Sequence, residues 1–264
     1  MTIDSDVSVV YENDTVDFGT IAGTAVIENT QLRYIPIRLA CGVCAYCSPD
    51  VLSNCPMVLR SIQADLTRAF KLLPLSVHDL IHRTNLWLNW ECYSYGRMAT
   101  PTVLRHVTTH HGSTWLTEIA HDTPRKAKSI EIYSVVDYQL MRLHWNGSGL
   151  LIHELCHLIH QCCLEDGLDN KIVEALYERA TLSGKYETVL RRDWAGRTKY
   201  INDDTGKKII EEPADVDLHY AMIDKKEFFA EMSVRSSLIQ TNLHSTVVFP
   251  LTSTCYKWSG CILV

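Results

Sequence analysis

Between Leu150 and His160 the chain reads LLIHELCHLIH, three histidines and a glutamate in an otherwise apolar run. His153, Glu154 and His157 form the pattern H-E-x-x-H. On a helix, residues four apart share a face, about 40° apart around the axis and about 6 Å apart along it. Both imidazoles can then reach one Zn²⁺ at about 2.0–2.1 Å. Glu154, turned about 100° away, is badly placed to be a ligand. It is well placed to take a proton from a water on the metal, which is the task of a general base. Leu150, Leu151, Ile152, Leu155, Leu158 and Ile159 make the rest of the helix apolar, where imidazoles and a carboxylate are costly without partners. The pattern and its surroundings predict a metal site.

His160 continues the same stripe, about 10 Å along the axis from His153, too far to share one tetrahedral ion on a straight helix. It is expected to line or support the site without touching the metal, or else to be an ordinary satisfied histidine. Cys156 lies inside the motif but off the ligand face, and with Cys162 and Cys163 it is read as a small core residue. A catalytic zinc takes three protein ligands and keeps one open position, so a third donor must come from elsewhere. KKEFFAEMS offers Glu227 and Glu231, four apart beside the apolar block Phe228-Phe229-Ala230. Two such glutamates can equally be surface groups in ion pairs.

The combination of HELCH with HYAMIDKKEFFAEM resembles the catalytic domain of the anthrax lethal factor-like metallopeptidases, a gluzincin family. Tyr220 stands seven residues before Glu227, as in that family's pattern. The resemblance implies zinc ligands His153, His157 and Glu227, with Glu154 as general base. It also implies Tyr220 as the hydrogen-bond donor to the developing oxyanion and Glu231 as a supporting partner beside the ligands. A weaker likeness through KSIEIYSVVDY extends it toward residue 75. The implied fold is α+β and zincin-like, with a small mixed sheet, an edge strand beside the H-E-x-x-H helix and a helical C-terminal half. The stretch from His157 to Glu227 is longer than the family pattern, with a hairpin at 198–210 and an acidic IIEEPADVD as the excess. If that excess displaces Tyr220, His219 is the alternative donor. The implied activity is zinc-dependent hydrolysis of peptide bonds in a peptide or protein substrate. Two alternatives stand beside it: a zinc-bearing binding protein with little turnover, and a metal protein built on a cysteine cluster.

That cluster is CGVCAYCSPDVLSNCP, with Cys41, Cys44, Cys47 and Cys55. Its C-x₂-C pairs suit a structural zinc or, with altered spacing, an iron–sulfur cluster. The plainer reading is a set of thiols without metal.

Other elements must position these groups. PMVLRSIQADLTRAFKLL places Leu59, Ile62, Leu66, Phe70 and Leu73 at helical spacing behind Pro56. TNLWLNW and KSIEIYS alternate like half-buried strands, and SIEIYS suits an edge strand on which an extended peptide can lie. VVDYQLMRLHW predicts a helix ending before Asn146-Gly147, and Ser148 is placed to cap the motif helix. NKIVEALYERATLSG, ended by Gly184, and DKKEFFAEMSVRSSLI, capped by Asp224, predict two more helices. TKYINDDTGKKII predicts a hairpin. Strands come early and helices dominate the second half.

The 264 residues suit one large domain. The expected division is an acidic arm at 1–35, a metallopeptidase-like domain at 36–250 and a tail at 251–264. Asp4, Asp6, Glu12, Asp14, Asp17 and Glu28 give the first thirty residues six acids and no Lys or Arg, which makes a solvated arm or a peripheral hairpin. A net charge of −6 and a pI near 6.0 argue against a broad nucleic-acid-binding face. No apolar run approaches the roughly 20 residues of a membrane span, and no secretory signal is visible. Reduced thiols and a cytosolic address are the expectation. The terminal Cys261-Ile262-Leu263-Val264 lacks the usual last residue of a prenylation box, so it is read as a plain apolar tail.

Overall fold

A computed structural model describes residues 33–90, 107–118, 120, 122–145, 147–187 and 219–239, with short strands at 20–21, 26–27, 189–190, 200–202, 208–210 and 216–217. The remaining acidic N-terminal residues and the tail at 251–264 lie outside the described residues. The chain forms two compact units, residues 1–163 and 164–264.

The first unit is α+β. Its elements in order are β1 (Thr20–Ile21), β2 (Val26–Ile27), β3 (Arg33–Arg38), β4 (Cys44–Cys47), α1 (Pro49–Asn54), α2 (Val58–Leu72), α3 (His78–Arg83), β5 (Asn85–Leu88), β6 (Val107–His110), α4 (Ser113–Glu118), β7 (Ser129–Ile132), α5 (Val135–His144) and α6 (Gly149–Cys163). The strands form one small mixed sheet, ordered β1-β3-β4-β5-β7-β6, with β2 also paired to β3. β4, β5 and β7 run parallel, while β3 and β6 lie antiparallel on either side of them. The acidic segment therefore contributes two short strands to this sheet, and β3 begins at Arg33.

Two strand expectations are corrected. β5 is not half-buried: Leu86, Trp87, Leu88 and the following Asn89 are all fully buried, as expected of a parallel strand in a sheet whose crossover connections cover both faces. β7, the SIEI strand, is not at an edge. It lies between β5 and β6, and all four of its residues are buried. Among the described residues the strand at that end of the sheet is β6, and it packs against α6.

α2 forms as its pattern requires, burying Val58, Leu59, Ile62, Leu66 and Ala69. Asp65 is buried on the same helix. The Arg142 guanidinium on α5 grips it with two hydrogen bonds, 2.6 and 2.7 Å, and the Tyr138 hydroxyl donates a third at 2.6 Å. Burial and the adjacent Asp65 carboxylate push the Tyr138 phenol well up. α5 starts at Ser134, whose hydroxyl accepts from the Asp137 N–H at 3.1 Å.

β7 carries the centre of a second buried network. Lys126 Nζ donates to Asp122 at 2.7 Å and to Glu131 at 2.6 Å. Asn89 donates to the same Glu131 oxygen at 2.8 Å, and His110 Nε2 lies 2.7 Å from the other. Tyr34 donates to Asn89 at 2.8 Å. Burial alone would raise the Glu131 carboxyl; the Lys126 ammonium and the His110 hydrogen bond outweigh it and bring it down to about 2. Burial likewise opposes the charge on Lys126, and Glu131, Tyr34 and Asp122 together hold its ammonium above the usual lysine range.

The second unit contains α7 (Lys171–Leu182), β8 (Val189–Leu190), β9 (Tyr200–Asn202), β10 (Lys208–Ile210), β11 (Val216–Asp217) and α8 (Lys225–Ile239). The Asn170 side chain caps α7 by accepting from the Ile172 and Val173 N–H groups. Gly184, beyond the end of α7, has φ +64°, a left-handed conformation that glycine adopts without penalty. β9 and β10 form the expected antiparallel hairpin, and β8 pairs with β11. Asp224 caps α8 as expected, accepting from Lys226 at 2.7 Å and Glu227 at 2.9 Å. α7 and α8 pack together, with the Tyr177 and Phe228 rings 5.8 Å apart.

Candidate metal centre

α6 is buried around its whole circumference from Gly149 to His160. Such a helix is a core element, covered here by β6, β7, α2 and α5. Ser148 holds the position before it, and its carbonyl accepts from the Ile152 N–H at 3.0 Å. The expected side-chain cap does not form: the Ser148 hydroxyl is buried with no hydrogen-bond partner among the described residues.

His153, Glu154 and His157 are 4–6% exposed. The Nε2 atoms of the two histidines stand 3.1 Å apart, with the rings nearly perpendicular at 87°. Two nitrogens at zinc–ligand distance in a tetrahedron are about 3.3 Å apart, so the rings already hold close to the required spacing. Trp145 packs edge-on against His153 at 5.5 Å, and His111 against His157 at 6.1 Å.

One ligand atom each from His153, His157 and Glu227 lies within 4.8 Å of the others. This group can hold a metal ion. Two imidazoles and a carboxylate are the donor set of a catalytic zinc site that keeps a fourth position for water. Among the described residues it is the group of His, Cys, Asp and Glu side chains that closes in this way. Glu227 sits in the first turn of α8, just before the buried Phe228, Phe229 and Ala230. Glu231 follows one turn later, half-buried. His160 is completely buried and outside the group.

Tyr220 opens a short 3₁₀ turn ahead of α8 and is 43% exposed. His219 caps that turn, its Nδ1 accepting from the Ala221 N–H at 3.0 Å. One nitrogen of the alternative oxyanion donor is therefore engaged with backbone.

Among the described residues, Cys41, Cys44, Cys47 and Cys55 do not come together as a group of metal-ligand atoms. Cys44 and Cys47 lie three apart on β4, and alternation along a strand sends them to opposite faces. Burial raises the thiols of Cys41, Cys44 and Cys47. The core reading of the α6 cysteines holds for Cys156, which is buried; Cys162 is exposed and Cys163 half-buried, because the helix emerges there.

Sequence reading overlooked β6 and three residues at its end. Thr109 Oγ lies 2.8 Å from Glu154 Oε2 and 2.8 Å from the Glu154 carbonyl oxygen. His110 meets Glu131. His111 is held by Gln161, whose Nε2 donates to the His111 carbonyl at 2.8 Å while its Oε1 lies 3.2 Å from His111 Nδ1. The run VTTHH carried a signal in its β-branched residues followed by two histidines, but too few apolar positions to register as alternation.

No family model, curated protein or solved structure matches the chain. The likeness to lethal factor-type peptidases therefore stands on the motif residues alone.

Among the described residues no helix is long and apolar enough to cross a membrane.

Proposed function

We propose that the chain is a zinc-dependent metallopeptidase of gluzincin type with a zincin-like fold. The observation that carries this reading is the approach of His153, His157 and Glu227 to within 4.8 Å of one another. These three residues would hold the ion. A bound zinc supplies Lewis acidity, which acidifies water and polarises a carbonyl. Glu154, buried beside the two histidines, accepts the proton from the attacking water and returns it to the leaving amine. Tyr220 donates its hydroxyl to the carbonyl oxygen as charge grows there. Glu231 and His160 support the ligands without touching the ion.

The test compares wild type, Glu154→Gln and Glu227→Ala after zinc reconstitution, with zinc content and cleavage of a degenerate peptide library as readouts. Wild type should hold about one zinc and cleave in a chelator-sensitive manner. Glu154→Gln should keep the metal and lose cleavage by roughly 10²-fold or more. Glu227→Ala should lose metal. A wild type that takes up no zinc sinks the reading. One that holds zinc and cleaves nothing would instead be a zinc-bearing binding protein.

A further inference from the structure

The Thr109 hydroxyl faces two oxygens of a single residue, Glu154 Oε2 and its main-chain carbonyl, each at 2.8 Å. It has one proton and two lone pairs. It can donate to only one of these two oxygens at a time, and either bond ties the hydroxyl to Glu154. The site is buried, with Thr109 and Glu154 each 6% exposed, so few other donors can reach the carboxylate and each one that does has a large say in its direction.

The strand bearing this hydroxyl is itself held firmly. Thr109 pairs with Ile130 in the β6–β7 ladder, and a β-branched side chain there has few χ1 choices. Alternation along β6 gives its faces separate tasks. Thr109 and His111 turn to α6, where they meet Glu154 and Gln161. His110 turns the other way and is tied to Glu131 at 2.7 Å. Gln161 Nε2 donates to the His111 carbonyl, so its Oε1 is the acceptor for His111 Nδ1–H. Strand and helix are thus joined at both Glu154 and Gln161, and the carboxylate is aimed from a fixed platform.

We propose that Thr109 is a positioning residue for Glu154, its hydroxyl setting the direction of the carboxylate for proton transfer. This rests on the reading of Glu154 as general base at a zinc site. A residue that merely satisfied a buried carboxylate would affect folding; one that aims a base affects what that base can receive.

The experiment uses the full chain reconstituted with zinc, as wild type, Thr109→Val, Thr109→Ala, Thr109→Ser and Glu154→Gln. The probe is acetohydroxamic acid, a zinc-binding group whose hydroxyl proton needs a base beside the metal. Its affinity is measured by calorimetry, alongside zinc content and the melting temperature of the zinc-free chains. Every variant should retain zinc. Thr109→Ser should bind the probe within about twofold of wild type, while Thr109→Val, Thr109→Ala and Glu154→Gln should each bind roughly tenfold more weakly, the scale of one hydrogen bond to a charged group. Two variants lacking the hydroxyl, one matched in volume and one smaller, separate loss of the bond from a packing defect. Wild-type affinity in Thr109→Val, or equal weakness in Thr109→Ser and Thr109→Val, overturns the proposal. Wild type without zinc removes the base reading, and this inference with it.

Discussion

His153 Nε2 lies 3.1 Å from His157 Nε2, one helical turn away on a helix with no exposed face at that level. Two neutral imidazoles at this distance can share one proton, and two protonated ones repel. A cation between them relieves both restrictions. Metal binding should therefore stabilise the fold. With free zinc at one hundred times its dissociation constant, linkage gives about 2.7 kcal/mol, read as a rise in unfolding midpoint on adding zinc to the chelated chain. His157→Ala should abolish the rise. A zinc-independent midpoint in wild type counts against the site.

Asp65 and Arg142 lie 77 residues apart in sequence and form a two-pronged ion pair in space. Asp65 is 3% exposed, so removing its cation leaves a carboxylate in the core. Arg142→Ala should cost about 3 kcal/mol, and Tyr138→Phe about 1 kcal/mol, both measured by urea unfolding. A loss below about 0.5 kcal/mol for Arg142→Ala would place this pair with ordinary surface pairs.

These two predictions mark what the sequence could and could not show. The H-E-x-x-H turn is local: four residues of spacing on a helix fix the geometry of His153 and His157, so it could be read directly. Asp224 and Asn170 at helix starts, and Gly184 beyond a helix end, are likewise local signals. Glu227 became readable only through its motif, because nothing in helical periodicity says which distant carboxylate meets the histidines. The buried charges were opaque. Asp65, Lys126 and Glu131 look like solvated residues in sequence, and each is buried only because a partner from another element meets it. β6 was missed because four residues containing two threonines and a histidine make little apolar contrast. With β6 missing, its interior neighbour β7 took its place as the expected edge.

The Glu131 carboxyl gives a signed pH prediction. Its folded value of about 2 lies below the ordinary 4.5. A depressed carboxyl stabilises the fold above its unfolded value and loses that contribution as pH falls toward the folded one. Stability should therefore decline from about pH 4.5 to pH 2, by about 3 kcal/mol from this group. Glu131→Gln should be less stable at neutral pH, because Lys126 keeps only Asp122 as an anionic partner. Its profile should also be flatter across that acidic window. Parallel acid profiles for wild type and variant would show that Glu131 does not carry the effect.

Thiol chemistry separates the cysteine readings. Cys47 is fully buried and its thiol is held up by burial, whereas Cys162 is exposed near the end of α6. Brief alkylation of the native chain, followed by site-resolved mass spectrometry, should label Cys162 first among the described cysteines and leave Cys47 and Cys156 unmodified until denaturant is added. Because Cys44 and Cys47 point to opposite faces of β4, saturating zinc should leave labelling of Cys41, Cys44 and Cys55 unchanged. Zinc-dependent protection of those three together would require a thiolate site, and with it a rearrangement of the β3–β4 end of the sheet.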